Sequence, residues 1–128
     1  MRFMMLMIPG PKDEKDWTPS PEAVAAMSKY NDELTKAGVL LALDGLHPIE
    51  KGARVSFPDG KATVTDGPFI EAKEVIGGYW LIQAKSKEEA VQWASRCPVV
   101  DPDPVIEVRQ VYEMADFPPE VQEAATTR

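Results

Sequence analysis

Four side chains in the middle of this 128-residue chain have the chemistry to bind a polar molecule or move a proton: Asp44, His47, Asp66 and Lys73. His47 is the only histidine, and its ordinary titration range lies near neutrality, so it is a general base wherever it reaches a substrate proton. It precedes Pro48, a context that also suits an exposed loop with no chemistry. Asp66 heads the run Asp66-Gly67-Pro68-Phe69. A carboxylate there has two readings: a turn cap accepting the amides of Gly67 or Phe69, or a functional group at a break in a strand. Lys73 is the best cationic partner for Asp66 or for an anionic ligand, and Glu71 and Glu74 beside it extend a charged segment. Asp44, before Gly45 at the end of an apolar run, points into the same pocket or caps a turn.

Other chemistries find no support. One His and one Cys, fifty residues apart, do not make a zinc site. No nucleophile elbow is present, Gly77-Gly78 alone is not a phosphate loop, and no nucleotide or flavin motif occurs, so no cofactor is expected. Cys97 has no partner for an internal disulfide, which suits a buried thiol in a reducing, cytoplasmic setting. The net charge of -7 is uneven: residues 1–64 carry 8 basic and 9 acidic groups, residues 65–128 carry 6 and 12. Such a surface repels nucleic acid. Met1 to Ile8 meets Pro9-Gly10-Pro11 far short of a membrane span, and no signal peptide is read there.

These residues need a scaffold, and the apolar pattern supplies one. Phe3, Met5 and Met7 alternate with Met4, Leu6 and Ile8, which is a strand buried on both faces. Ser20-Pro21-Glu22 combines a capping hydroxyl, a ring-locked first residue and an acid in the positive first turn. The helix that follows carries the stripe Ala23, Met27, Tyr30, Leu34, Ala37 and ends at Gly38. Val39 to Leu46 reads as a strand. Ala53, Val55 and Phe57 alternate into the turn Pro58-Asp59-Gly60-Lys61 and return through Ala62 and Val64, a hairpin that Asp66 to Phe69 interrupts. A strand over 76–84 places Tyr79 and Trp80 on opposite faces. Ser86 and Glu89 have capping-box spacing, opening a helix with the stripe Ala90, Trp93, Ala94 and Cys97, which Pro98 stops. Ile106, Val108 and Tyr112 alternate with Glu107 and Arg109 in a last strand, and a short helix is expected after Pro118.

The order is that of a ferredoxin-like α+β domain, βαββαβ with an extra hairpin, whose central strands are the two that are apolar on both faces. Two helices cover one face only. A second copy is the simplest cover for the other, which predicts a homodimer and makes Met5 a position where a charge disrupts folding and assembly together.

The stretch Asp66-Gly67-Pro68-Phe69-Ile70-Glu71-Ala72-Lys73-Glu74-Val75-Ile76-Gly77-Gly78-Tyr79-Trp80 resembles the signature of the YCII-related family, in its DGPF-domain subgroup. Glu89-Ala90, Trp93-Ala94, the first strand and Gly38 to Leu46 carry the resemblance further, over residues 1–112, leaving 113–128 as a tail. It implies a dimeric α+β barrel. Some relatives are fused to or encoded beside extracytoplasmic-type sigma factors, which implies such a factor as a partner. In YCII proteins outside the subgroup a His and an Asp form a proposed catalytic dyad, of which His47 and Asp66 are the chemical counterparts here. The expectation is a pocket for a small polar molecule near Asp66, with cofactor-free acid/base chemistry. The alternative is a non-catalytic regulatory module in which Gly67, Pro68 and Phe69 form a structural turn.

Overall fold

The structure, a computed structural model, describes residues 1–10, 18–67, 75–100 and 103–126. Strand β1 (Arg2–Ile8) is followed by helix α1 (Pro21–Lys36), strand β2 (Leu40–Gly45), the hairpin strands β3 (Ala53–Ser56) and β4 (Thr63–Asp66), strand β5 (Gly78–Gln83), helix α2 (Lys87–Ser95), strand β6 (Val105–Gln110) and helix α3 (Pro119–Thr126). Four strands form one antiparallel sheet in the order β2-β5-β1-β6, while β3 and β4 pair as a separate two-stranded sheet. This is the expected ferredoxin-like α+β arrangement, with β1 and β5 in the middle.

The helix ends form as their residues dictate. Ser20 Oγ accepts from the Ala23 amide at 3.1 Å, and Gly38 leaves α1 with φ +74°. Ser86 Oγ likewise accepts from the Glu89 amide at 3.1 Å. The Glu89 carboxylate, however, takes the Lys85 amide, one residue further back than a capping box requires. Ala37, expected on the buried stripe, is exposed because it is the capping residue at the end of α1.

The core lies between the helices and one face of the sheet: Phe3, Met5, Tyr30, Leu34, Trp80, Ile82, Ala84 and Ala90 are buried. Tyr30 ties its layers together. Its hydroxyl donates to the Trp93 carbonyl at 2.7 Å, and its ring meets Trp80 edge-on at 5.7 Å. Trp80 Nε1 in turn donates to Asn31 Oδ1 at 2.8 Å, so α1, α2 and β5 are joined by hydrogen bonds as well as by packing.

Met5 is fully buried under the helices, which corrects its assignment to the face awaiting a partner. The opposite face presents Met4, Leu6 and Ile8 of β1, Tyr79 and Leu81 of β5, and Ala42 of β2, all half-buried. Asp44, Glu107 and Arg109 flank this apolar centre. Tyr112 lies beyond the end of β6, exposed, and stacks on Phe117 at 4.6 Å rather than continuing the strand alternation. No helix among the described residues is long and apolar enough to cross a membrane.

Candidate functional site

Gly78 lets the ends of β2 and β5 come together. Gly45 pairs with Gly78, and a Cβ on Gly78 would stand 2.8 Å from the Asp44 carbonyl oxygen, so only glycine lets the strands approach this closely. The Leu46 amide continues the pairing to the Gly77 carbonyl at 2.9 Å. One step along the same register Asp44 faces Tyr79, and the Tyr79 hydroxyl donates to Asp44 Oδ2 at 2.8 Å. That hydrogen bond, reinforced by the carboxylate's negative charge, raises the Tyr79 phenol above its ordinary titration range. The phenol therefore stays protonated at neutral pH and acts as a donor. The carboxylate retains accepting capacity beyond that single bond, which suits a ligand hydroxyl or amine.

After Leu46 the chain turns away from the sheet. Buried Pro48 anchors it, the 3-10 turn Ile49–Lys51 follows, and His47 is exposed at the start of this segment. The hairpin returns to the same place. Gly67 donates its amide to the Gly52 carbonyl at 2.9 Å, and a Cβ built on it would fall 1.7 Å from the Ile49 carbonyl oxygen. Its φ is outside the left-handed range, so glycine is required here by the close passage of the Ile49 backbone. The Gly67 amide thus goes to Gly52 and not to the Asp66 carboxylate, which removes that half of the turn-cap reading. Asp66 itself ends β4 opposite Ala53 and is exposed.

Asp44 is therefore joined to Tyr79, and the segment after His47 is joined to the glycine after Asp66. Among the described residues no hydrogen bond or ion pair links His47 to Asp66. Pro68, Phe69, Glu71 and Lys73 lie outside the described residues, as does Glu74. The sequence pattern puts Tyr79 on one face of a central strand and gives its hydroxyl no role. The signal was there in the matching glycines, since aligning Gly45 with Gly78 places Asp44 and Tyr79 side by side.

The described clefts lie elsewhere. One of about 460 Å³ runs between α2 and β6 and is lined by Met7, Val91, Ala94, Cys97, Ile106 and Val108 among others. Burial pushes the Cys97 thiol up to about 11, so at neutral pH it is a protonated, unreactive wall. A second cleft of about 310 Å³ is lined by Gln110, Val111, Tyr112 and Asp116. Asp44, His47 and Asp66 line neither. Among the described residues no group of three His, Cys, Asp or Glu side chains is gathered to hold a metal ion.

An antiparallel sheet with helices on one face, a polar pair at one end of the other, and a hairpin folded back on the loop beside it define a small ferredoxin-like α+β domain. The family model of the YCII-related domain matches residues 1–115, and the chain belongs to that family. It is also similar to Uncharacterized protein R00369 of Rhizobium meliloti (strain 1021), with 34% identity over 68 residues. That match covers 53% of this chain and 55% of the relative, so the chain spans about half the length of the curated protein it matches.

Proposed function

We propose that this chain is a cytoplasmic, homodimeric member of the DGPF subgroup that binds a small polar molecule at the Asp44–Tyr79 pair. The ligand offers a hydroxyl or amine as donor to the carboxylate's remaining lone pairs and a second donor to the phenol oxygen. The 2.8 Å hydrogen bond between these two side chains on the open sheet face carries the reading. A charged residue and a donor phenol held together beside an uncovered apolar surface form a polar anchor next to a desolvating wall, the usual composition of a small-molecule site. His47 and Asp66, on the loop and hairpin that meet at Ile49 and Gly67, are the titratable groups from which cofactor-free acid/base chemistry on that ligand would draw.

A thermal-shift screen of small polar metabolites tests this, with wild type beside Tyr79→Phe and Asp44→Asn. Both positions are only half-buried or exposed, so the unliganded variants should melt close to wild type. A ligand that raises the wild-type melting temperature should bind Asp44→Asn at least tenfold more weakly, and Tyr79→Phe several-fold more weakly. Equal affinity for all three proteins would remove Asp44 and Tyr79 from the site.

A further inference from the structure

The chain leaves β6 and folds back on itself at the edge of the sheet. β6 is the edge opposite to β2, so this region is separate from the Asp44–Tyr79 pair. The Val111 amide donates to the Arg2 carbonyl at 2.9 Å, and the Arg2 guanidinium meets the Glu113 carboxylate through two hydrogen bonds, of 2.6 and 3.2 Å. The Glu113 amide donates to Asp116 Oδ2 at 2.7 Å, and the Asp116 amide returns to the Glu113 carbonyl at 2.9 Å, which closes the 3-10 turn Met114–Asp116. Beyond that turn Phe117 stacks on Tyr112, the two rings 18° from parallel.

The cleft of about 310 Å³ at this place is lined by groups that accept. Phe117 covers one side of the Tyr112 ring, and with the residue 70% exposed the electron-rich other side faces solvent. Asp116 uses one lone pair on the Glu113 amide, while a carboxylate has about four. Among the described residues no cationic side chain pairs with it, and Arg2 is already engaged by Glu113. The Gln110 amide nitrogen contacts Met1 Sδ at 3.5 Å, which leaves its carbonyl oxygen to accept. Residues 65–128 carry 12 acidic against 6 basic groups, so the surrounding field draws in cations and repels anions. The kind of cation follows from the shape of these groups. An ammonium is a compact, strongly hydrated point charge, whereas a guanidinium is flat and weakly hydrated, stacks on an aromatic ring and offers a carboxylate two parallel N–H groups.

We infer that this cleft binds the guanidinium group of a small molecule. The plane of the group stacks on the free face of Tyr112, two of its N–H groups meet Asp116, and another reaches the Gln110 carbonyl oxygen. Asp116 then has two tasks, closing the turn with one oxygen and holding the ligand with its remaining lone pairs. Phe117 backs the ring and fixes the plane on which the ligand lies.

Titrating the full chain with propylguanidinium, followed by amide NMR, tests this, with butylammonium as a probe of equal charge. Propylguanidinium should give saturable shifts centred on Gln110, Val111, Tyr112 and Asp116, with the roughly millimolar dissociation constant expected of so small a ligand. Butylammonium should bind there at least fivefold more weakly. Asp116→Asn keeps an oxygen for the Glu113 amide and so keeps the turn, yet should weaken propylguanidinium binding at least fivefold. Tyr112→Leu should weaken it several-fold, and Tyr112→Phe, which keeps the ring and its stacking on Phe117, should restore it to near the wild-type value. No saturable shift at these residues, equal binding of the two cations, or undiminished binding in Asp116→Asn would each overturn the inference.

Discussion

Replacing Gly67 with alanine probes the junction of hairpin and loop directly. The added Cβ would lie 1.7 Å from the Ile49 carbonyl oxygen and 2.7 Å from its carbon, and both obstacles are backbone. Relieving the overlap means widening the gap from 1.7 Å to at least 3.0 Å, a displacement of more than 1 Å between two chain segments. The 2.9 Å bond from the Gly67 amide to the Gly52 carbonyl does not survive such a shift. Losing it costs about 1 kcal/mol, and the forced backbone movement about 1–3 kcal/mol more, together roughly 2–4 kcal/mol. For a domain of this size that lowers the melting temperature by about 6–16 °C. Calorimetry should show this drop in Gly67→Ala, and amide exchange at residue 67 should accelerate. Two controls separate the cause. Gly45→Ala meets nothing within 4 Å and should melt close to wild type. Gly60→Ala has open space but φ +78°, so it should lose only about 1 kcal/mol through backbone strain. Unchanged melting and unchanged exchange in Gly67→Ala would refute the close-approach argument.

Neighbouring residues on β1 should respond differently. Met5→Ala empties a fully buried site and should cost about 2–5 kcal/mol in denaturant melts, whereas Leu6→Lys, on the open face, should leave the fold intact and weaken self-association in sedimentation. Cys97 should resist alkylation. With the thiol near 11 instead of 9.0, its thiolate fraction at pH 8 falls about a hundredfold, so iodoacetamide labelling should be slow and should rise about tenfold per pH unit up to that value.

The residues that shape single elements spoke clearly in the sequence. Ser20-Pro21-Glu22 and Ser86 start their helices as local chemistry requires, and the double-faced apolar pattern of β1 and β5 marked the centre of the sheet. That same pattern concealed which face the helices take, because Met4 and Met5 are equivalent to any rule based on apolar content. The sorting is decided by Tyr30, Leu34 and Ala90, far away in the chain. The site was legible in part. Asp44 and Asp66 stood out as carboxylates at strand ends, but the hydroxyl that holds Asp44 belongs to a residue 35 positions away, and the meeting depends on a strand register in which Gly78 lets the Asp44 backbone pass closely. Likewise Gly67 was recognisable as part of a structural turn, while the identity of its neighbour, Ile49, required the folded hairpin.

The strand order also governs how the chain behaves while it is being made. β1 pairs on one side with residues 78–83 and on the other with residues 105–110, so Arg2 waits for Gln83 and Ile8 for Val105. At about 5–20 residues per second, β6 leaves the ribosome roughly 5–20 s after β1. Throughout that interval Phe3-Met4-Met5-Leu6-Met7-Ile8, apolar on both faces, has no native strand on its outer edge. The nascent protein is thus most in need of chaperone protection at β1, and this central strand of the finished sheet is the last to be enclosed.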